Sequence, residues 1–274
     1  MPELPEVETI RRQLEPWLTG KTITRIEVPD PLVTEPASPA SFIKRLRGRI
    51  IETVGRHGKY LLFNLDSGDI LVIHLRMTGI LTQISQPLTQ EQNRHLRLLL
   101  RFSDGTALAF HDARRFGKAF VLSQKTAAVY WKKLGPEPLG RSFNRSHLKS
   151  VLEKRQRPIK SLLLDQKFIA GIGNIYADEA LFRARIHPSR PSGDLDEDEI
   201  KELTNSIKET LRKAIRLEGS SIDTYRDSRG RRGRFQETFS VHRRQGEACP
   251  VCKKSIEKIK VGGRGTYFCP RCQR

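Results

Sequence analysis

Cysteine is missing from the chain until Cys249, and all four cysteines then fall within the last 26 of its 274 residues. Long apolar runs are missing too. No stretch reaches the roughly 18 consecutive apolar residues of a membrane-spanning helix, so none is expected. No secretory leader is visible ahead of the acidic first helix, so a disulfide framework is not expected and the clustered cysteines point to a metal. Acidic residues are outnumbered, 31 Asp+Glu against 50 Lys+Arg, a net charge of +19. That balance says nothing about fold but favours a polyanionic partner, nucleic acid being the commonest. With 37% hydrophobic residues the chain can pack cores, and its length suits two domains or slightly more. No internal repeat is visible. These bounds place the protein in the cytoplasm, on DNA or RNA.

What is present starts at the first six residues, Met1-Pro2-Glu3-Leu4-Pro5-Glu6. Met before a small residue is the usual context for Met removal, which would expose a secondary amine at Pro2. An α-amino group has an unperturbed pKa of about 7.7–8.0, so a good part of it is an unprotonated nucleophile at neutral pH. Its adduct with a carbonyl carbon is a charged iminium, and Glu3 beside it can shuttle protons. The plainer reading is that Pro2 and Pro5 simply start a helix. Val7, Ile10, Leu14, Trp17 and Leu18 do fall at helical spacing, which predicts one amphipathic helix over Glu3–Leu18.

Short strands follow in the pattern, at Thr22–Val28, Arg49–Val54, Tyr60–Leu65, Ile70–Met77, Leu96–Phe102, Thr106–Phe110 and Ala119–Leu122, with a proline-rich loop from Pro29 to Pro39. Ser67-Gly68 and Asp104-Gly105 read as hairpin turns. Strands so spaced, mostly without crossover helices, predict an antiparallel sandwich or flattened barrel. After Gly135-Pro136-Glu137-Pro138 the periods become helical: Ser146–Arg155, Pro158–Leu164, Asn174–Ala184 and the charged Asp196–Leu217. Gly219–Phe235 is polar, rich in Gly and Arg, and reads as a mobile loop. The fold class is α+β multidomain, with expected domains at 1–134, 135–235 and 236–274.

Cys249-x2-Cys252 and Cys269-x2-Cys272, sixteen residues apart, fit four thiolates on one structural Zn²⁺. From Arg226 to Arg274 there are 14 Lys/Arg against 4 Asp/Glu, so the basic turn Gly263-Arg264-Gly265 suits a phosphate or groove contact. A finger that only buttresses the fold is the alternative. In Gly171-Ile172-Gly173-Asn174 two glycines precede a helix N-terminus, a phosphate-binding design or a mere helix–helix turn. Arg114, Arg115 and Phe116 form a loop able to enter a base stack, or else Phe116 is a core anchor. Met77 reads alone as core filler and Lys59 alone as a surface lysine.

Taken together, Pro2-Glu3-Leu4-Pro5-Glu6-Val7-Glu8-Thr9, Gly58-Lys59-Tyr60-Leu61, Asp112-Ala113-Arg114-Arg115-Phe116-Gly117, Gly171-Ile172-Gly173-Asn174-Ile175-Tyr176 and Gly263-Arg264-Gly265 inside the finger resemble the formamidopyrimidine-DNA glycosylase family along the whole chain. The resemblance implies an N-terminal antiparallel β-sandwich, a helix–two-turn–helix domain with a lesion-capping loop near 219–235, and a C-terminal four-cysteine zinc finger, with DNA in the cleft between domains. It implies a bifunctional DNA glycosylase/AP lyase of base excision repair that flips out and excises oxidised purines (8-oxoguanine, formamidopyrimidines) and then cuts the strand by β,δ-elimination. Its partner is then double-stranded DNA with oxidised purines or abasic sites, bound by a monomer with no membrane association.

By the same resemblance Pro2 is the Schiff-base nucleophile and Glu3 the acid/base. Lys59 is the essential lysine near the lesion phosphate, and Arg264 the finger arginine of δ-elimination. Asn174, His74, His95 and Arg155 are DNA contacts. Met77, Arg114 and Phe116 fill the gap left by the flipped base, and Glu6 lies near that base. Ala113 departs from the proline many members carry, and the tip Arg229–Arg234 is unusually basic. Two alternatives stand: an endonuclease-eight-like glycosylase for oxidised pyrimidines, against which Leu4–Thr9 argues, and a non-catalytic zinc-dependent DNA-binding protein.

Overall fold

The computed structural model describes residues 1–274 apart from Pro87, Leu88, Lys154 and Asp223, and apart from the side chains of Glu91 and Gln92. The chain packs as two units, Met1–Lys132 with Glu218–Arg234, and Lys133–Leu217 with Phe235–Arg274. Among the described residues no helix is long and apolar enough to cross a membrane.

The first unit begins with α1 (Leu4–Leu18). Val7, Ile10, Leu14 and Leu18 are fully buried, as their spacing predicts. Each such burial is worth about 1.5–3 kcal/mol, so this stripe fixes the helix and the residues ahead of it. Glu3 is the N-cap, and its backbone N–H donates to Glu6 Oε2 at 2.7 Å. Among the described residues the strands that follow are β1 (Ile23–Glu27), β2 (Ile51–His57), β3 (Tyr60–Leu65), β4 (Ile70–His74), β5 (Gly79–Ile84), β6 (Leu96–Phe102), β7 (Ala107–Asp112) and β8 (Lys118–Leu122). They make two antiparallel sheets, in the orders β1-β6-β7-β5 and β2-β3-β4-β8. Apolar residues of both sheets share one core with the buried face of α1, including Phe63, Leu71 and Ile73 from one sheet and Leu98, Leu108 and Phe110 from the other. The unit is the antiparallel sandwich expected.

Three details differ from the sequence pattern. The run Ile70–Met77 is not one strand. β4 stops at His74, Arg76 turns at φ +53°, and the Gly79 N–H closes the turn on the Leu75 carbonyl at 3.0 Å, which starts β5. Short helices also sit in stretches to which the pattern assigns no element: α2 (Pro39–Leu46), capped by Ser38, just past the proline-rich loop; α3 (Gln90–Asn93); and α4 (Gln124–Trp131), capped by Ser123. The stretch Gly219–Phe235, expected as a mobile loop, has no helix or strand before Phe235 among the described residues, yet many of its groups are hydrogen-bonded. Ser221 Oγ donates to the Tyr225 carbonyl at 2.9 Å and accepts the Gly233 N–H at 3.0 Å. Several of its polar groups bond to one another, to α1 and to β5. Asp223, inside this stretch, lies outside the described residues.

The second unit holds α5 (Arg145–Leu152), α6 (Ile159–Leu163), α7 (Asn174–Arg183) and α8 (Glu197–Arg216), then a hairpin of β9 (Glu257–Val261) and β10 (Arg264–Phe268). The helix expected over Ser146–Arg155 ends at Leu152, where Glu153 leaves helical geometry. Lys154 lies outside the described residues. Asp196 caps α8, its Oδ1 accepting the N–H groups of Asp198 at 2.9 Å and Glu199 at 2.8 Å.

Candidate DNA-repair active site

Pro2 and Glu3 are buried at the head of α1, so the helix-start reading holds, and it leaves room for the nucleophile reading at the same residues. Glu6, also buried, accepts the Glu3 N–H on Oε2 and the Ser220 N–H on Oε1, each at 2.7 Å. One carboxylate thus joins the head of α1 to the root of the 219–235 stretch. Gly219 is required there. It has φ +80°, and a Cβ would come within 2.8 Å of Glu6 Oε1.

Lys59 sits in the two-residue turn between β2 and β3, with Gly58 at φ +55°. Only 7% of Lys59 is exposed, so it is not the solvated lysine its neighbours suggest in isolation. The turn is braced from α1. Arg56 Nε donates to Glu8 Oε2 at 3.1 Å, and Arg56 Nη1 donates to the Gly58 carbonyl at 2.9 Å. Glu8 also takes Arg11 and Arg12. Burial opposes its ionisation, but the Arg11 and Arg12 hydrogen bonds and the Arg56 charge outweigh this and hold its carboxyl down at about 2.

His74 ends β4 opposite Tyr60 in register, with the two rings edge to face at 4.4 Å. Burial, then the charges of Arg76 and Lys59, push its imidazole down to about 3. Its Nδ1 accepts the Arg76 N–H at 3.1 Å, so the neutral ring carries its proton on Nε2 as a donor.

Pairing of Gly79 with Asp112 brings the Met77 turn beside the 112–117 loop. Asp112, 1% exposed, organises both. Its Oδ1 accepts the Arg114 N–H at 3.2 Å and the Thr78 hydroxyl, and its Oδ2 accepts the Gly117 N–H at 2.6 Å. Arg115 is drawn away by a two-pronged pair with Asp30, at 2.7 and 2.9 Å. Met77 is left 38% exposed and Phe116 50% exposed, with the Arg114 guanidinium 4.9 Å over the Phe116 ring. Neither Met77 nor Phe116 is a core residue. His95, exposed at φ +67°, offers its carbonyl to the Asp112 N–H at 2.9 Å.

In the second unit Asn174 opens α7, and its Nδ2 donates to the Gly265 carbonyl at 3.0 Å. Its Oδ1 is buried and accepts no hydrogen bond among the described residues. Arg264 is exposed at the start of β10, just past the Gly262-Gly263 turn. Arg155 folds back on the end of α5, donating to the Ser150 carbonyl at 3.2 Å and to that of Val151, with its guanidinium 4.9 Å over Phe168.

The residues missed in the sequence are those beneath these groups. Lys160 is fully buried, 2.6 Å from Asp178 Oδ1, and donates to Thr266 Oγ1 at 2.8 Å and the Gly265 carbonyl at 3.2 Å. The other oxygen of Asp178 meets His242 Nδ1 at 2.7 Å. The Arg264 turn therefore rests on a buried polar network. The one hint in the sequence is a lysine inside the apolar run Ile159–Leu164.

The four cysteine Sγ atoms lie within 4.8 Å of one another, with Cys249–Cys272 at 3.9 Å and Cys252–Cys269 at 3.4 Å. Thiolates at the usual Zn–S length of about 2.3 Å in a tetrahedron stand about 3.8 Å apart, so donor set and spacing both suit zinc. With four protein ligands the ion has no open position and is structural.

Three family models match the chain: the formamidopyrimidine-DNA glycosylase N-terminal domain over residues 1–119, the H2TH domain of the same enzyme over 134–226, and the zinc finger found in FPG and IleRS over 246–274. A formamidopyrimidine-DNA glycosylase of Chloroflexus aurantiacus is 48% identical over 274 residues, covering 100% of this chain and 98% of that protein. Among solved structures, a Lactococcus lactis FPG variant in complex with Fapy-dG-containing DNA superposes with TM-score 0.93 at 40% identity, covering 100% of both chains. The Lactococcus lactis Fpg with abasic-site DNA gives TM-score 0.93 at 40% identity over 99% of each chain. The four cysteines thus form a structural zinc finger, and the chain belongs to the formamidopyrimidine-DNA glycosylase family.

Proposed function

We propose that this protein is a bifunctional DNA glycosylase and AP lyase of base excision repair, acting on oxidised purines in double-stranded DNA as a cytoplasmic monomer. The observation carrying the reading is the joining of Pro2-Glu3 and the Lys59 turn through α1 by way of Glu8 and Arg56. The net charge of +19 and the solved DNA complexes of the relatives support the DNA partner. The proposed working domains are 1–134, 135–235 and 236–274.

With Met1 removed, the Pro2 nitrogen attacks C1′ of a flipped nucleotide. The C1′–base bond breaks with its electron pair leaving on the base, and the sugar ring opens to an iminium. Glu3 supplies the proton for ring opening. The iminium acidifies C2′, so loss of a C2′ proton expels the 3′ phosphate and leaves a C2′–C3′ double bond, and loss of the C4′ proton that this double bond acidifies expels the 5′ phosphate. Lys59 serves the first elimination and Arg264 the second. Flipping costs a few kcal/mol, offset by Met77, Arg114 and Phe116 filling the gap and by phosphate contacts from His74, His95, Arg155 and Asn174. Glu6 faces the extruded base. Zinc takes no part in bond breaking and holds the finger's fold.

Excision from 8-oxoguanine:C and thymine glycol duplexes tests the substrate class. Faster release of 8-oxoguanine supports the reading; faster release of thymine glycol assigns the protein to the pyrimidine branch.

A further inference from the structure

Gln13 lies on α1 with 8% of its surface exposed, and both ends of its side-chain amide are engaged. Nε2 donates to Asp227 Oδ2 at 2.7 Å, while Oε1 accepts the Ser228 N–H at 3.1 Å and the Ser228 hydroxyl at 2.8 Å. Asp227 and Ser228 are themselves buried. Asp227 builds a tight turn, its Oδ1 accepting the N–H groups of Arg229 at 3.0 Å and Arg231 at 2.8 Å. The Ser228 carbonyl takes the Gln83 N–H at 3.1 Å, at the end of β5. An amide with a carboxylate at one end and two donors at the other is held in one orientation, and no apolar side chain can replace it without stranding buried polar groups.

Among the described residues the stretch is therefore held to α1 at three places: by Glu6 at Ser220, by the Tyr225 hydroxyl donating to the Glu6 carbonyl at 3.4 Å, and by Gln13 at Asp227-Ser228. These pins lie on the helix that carries Pro2 and Glu3 at its head. We propose that Gln13 is a positioning residue for base excision, registering the capping stretch to the nucleophile's own helix. The inference rests on the reading that 219–235 covers the extruded base. It separates two substrates: an oxidised base needs the cap, whereas an abasic site offers nothing to cover.

The test compares single-turnover excision of 8-oxoguanine with incision of an abasic-site duplex, alongside limited trypsin cleavage after the exposed arginines 229–234 of the DNA-free protein. Gln13→Leu should slow excision about tenfold, leave abasic incision unchanged and speed trypsin cleavage. Gln13→Glu sets two carboxylates against each other and should behave likewise. Combining Gln13→Glu with Asp227→Asn reverses the polarity of the bond while giving up the Arg231 Nε contact at 3.1 Å on the same Asp227 oxygen, and should restore part of both excision and protection. Equal loss on both substrates, no loss of excision, or a pair that fails to restore would each overturn the proposal. The trypsin arm needs no DNA, so a protein inert on both duplexes refutes the enzymatic reading while trypsin still judges the pin.

Discussion

Arg56 stands between the Glu8 carboxylate and the Gly58 carbonyl, so one guanidinium ties the helix of Pro2 and Glu3 to the turn of Lys59. Neither contact involves a reacting group, yet together they hold two pieces of the proposed machinery in register. Losing a hydrogen bond to a charged group costs about 1.5–3 kcal/mol. Arg56→Met should therefore lower the melting temperature and slow strand cleavage at abasic sites about tenfold. Arg56→Lys, which keeps the charge but cannot fork, should recover only part of it. Wild-type cleavage by Arg56→Met in single-turnover assays would show that the brace is idle.

The same carboxylate gives a pH prediction. Glu8 titrates near 4.5 when unfolded and at about 2 in the fold. A depressed carboxyl contributes stability above its unfolded value and loses it as pH falls through the folded one. Thermal melts of wild type and Glu8→Gln should therefore differ by a constant gap above about pH 5 and converge between about pH 4.5 and 2. A gap that stays constant down to pH 2 would remove Glu8 from the account of acid stability.

Cys249 and Cys269 are core residues of the finger, packed with Phe182, Val241 and Ile256. Zinc removal should therefore unfold the finger as a unit. Cys252→Ser, or chelation of the wild type, should release one zinc per chain and weaken duplex binding at least tenfold; fluorescence anisotropy with metal analysis checks both. Undiminished affinity in zinc-free protein would mean that the finger contributes nothing to DNA binding.

Phe116 is half exposed and anchors no core, so Phe116→Ala should change stability by less than about 0.5 kcal/mol. The role proposed for it, filling the gap of a flipped base, comes into play only when a base leaves the stack. Excision of 8-oxoguanine from duplex should fall strongly, while binding to undamaged duplex should change little. An equal fall in both would make Phe116 a general contact, not a wedge.

What the sequence disclosed follows from range. α1, β3 and β6 are legible because strong periodicity is a local property, and the finger because ligand spacing is. The motif residues Pro2, Lys59, Arg114 and Phe116 stand out by family resemblance, but what holds them does not. Arg56 pairs across 48 residues to Glu8, and Gln13 across 214 to Asp227. Nothing local marks such residues as partners, because a buried polar group looks like any surface one until the chain is folded. β5 was hidden for a related reason: its start depends on the positive φ of Arg76, a residue type that gives no turn signal.

The most direct test of the central claim is borohydride trapping. Protein lacking Met1 is incubated with an 8-oxoguanine duplex, reduced, digested and mapped by mass spectrometry. The account predicts one covalent DNA adduct, on the nitrogen of Pro2, absent when Met1 is retained. An adduct on Lys59 instead, or no adduct from trimmed protein that binds the duplex, would contradict it.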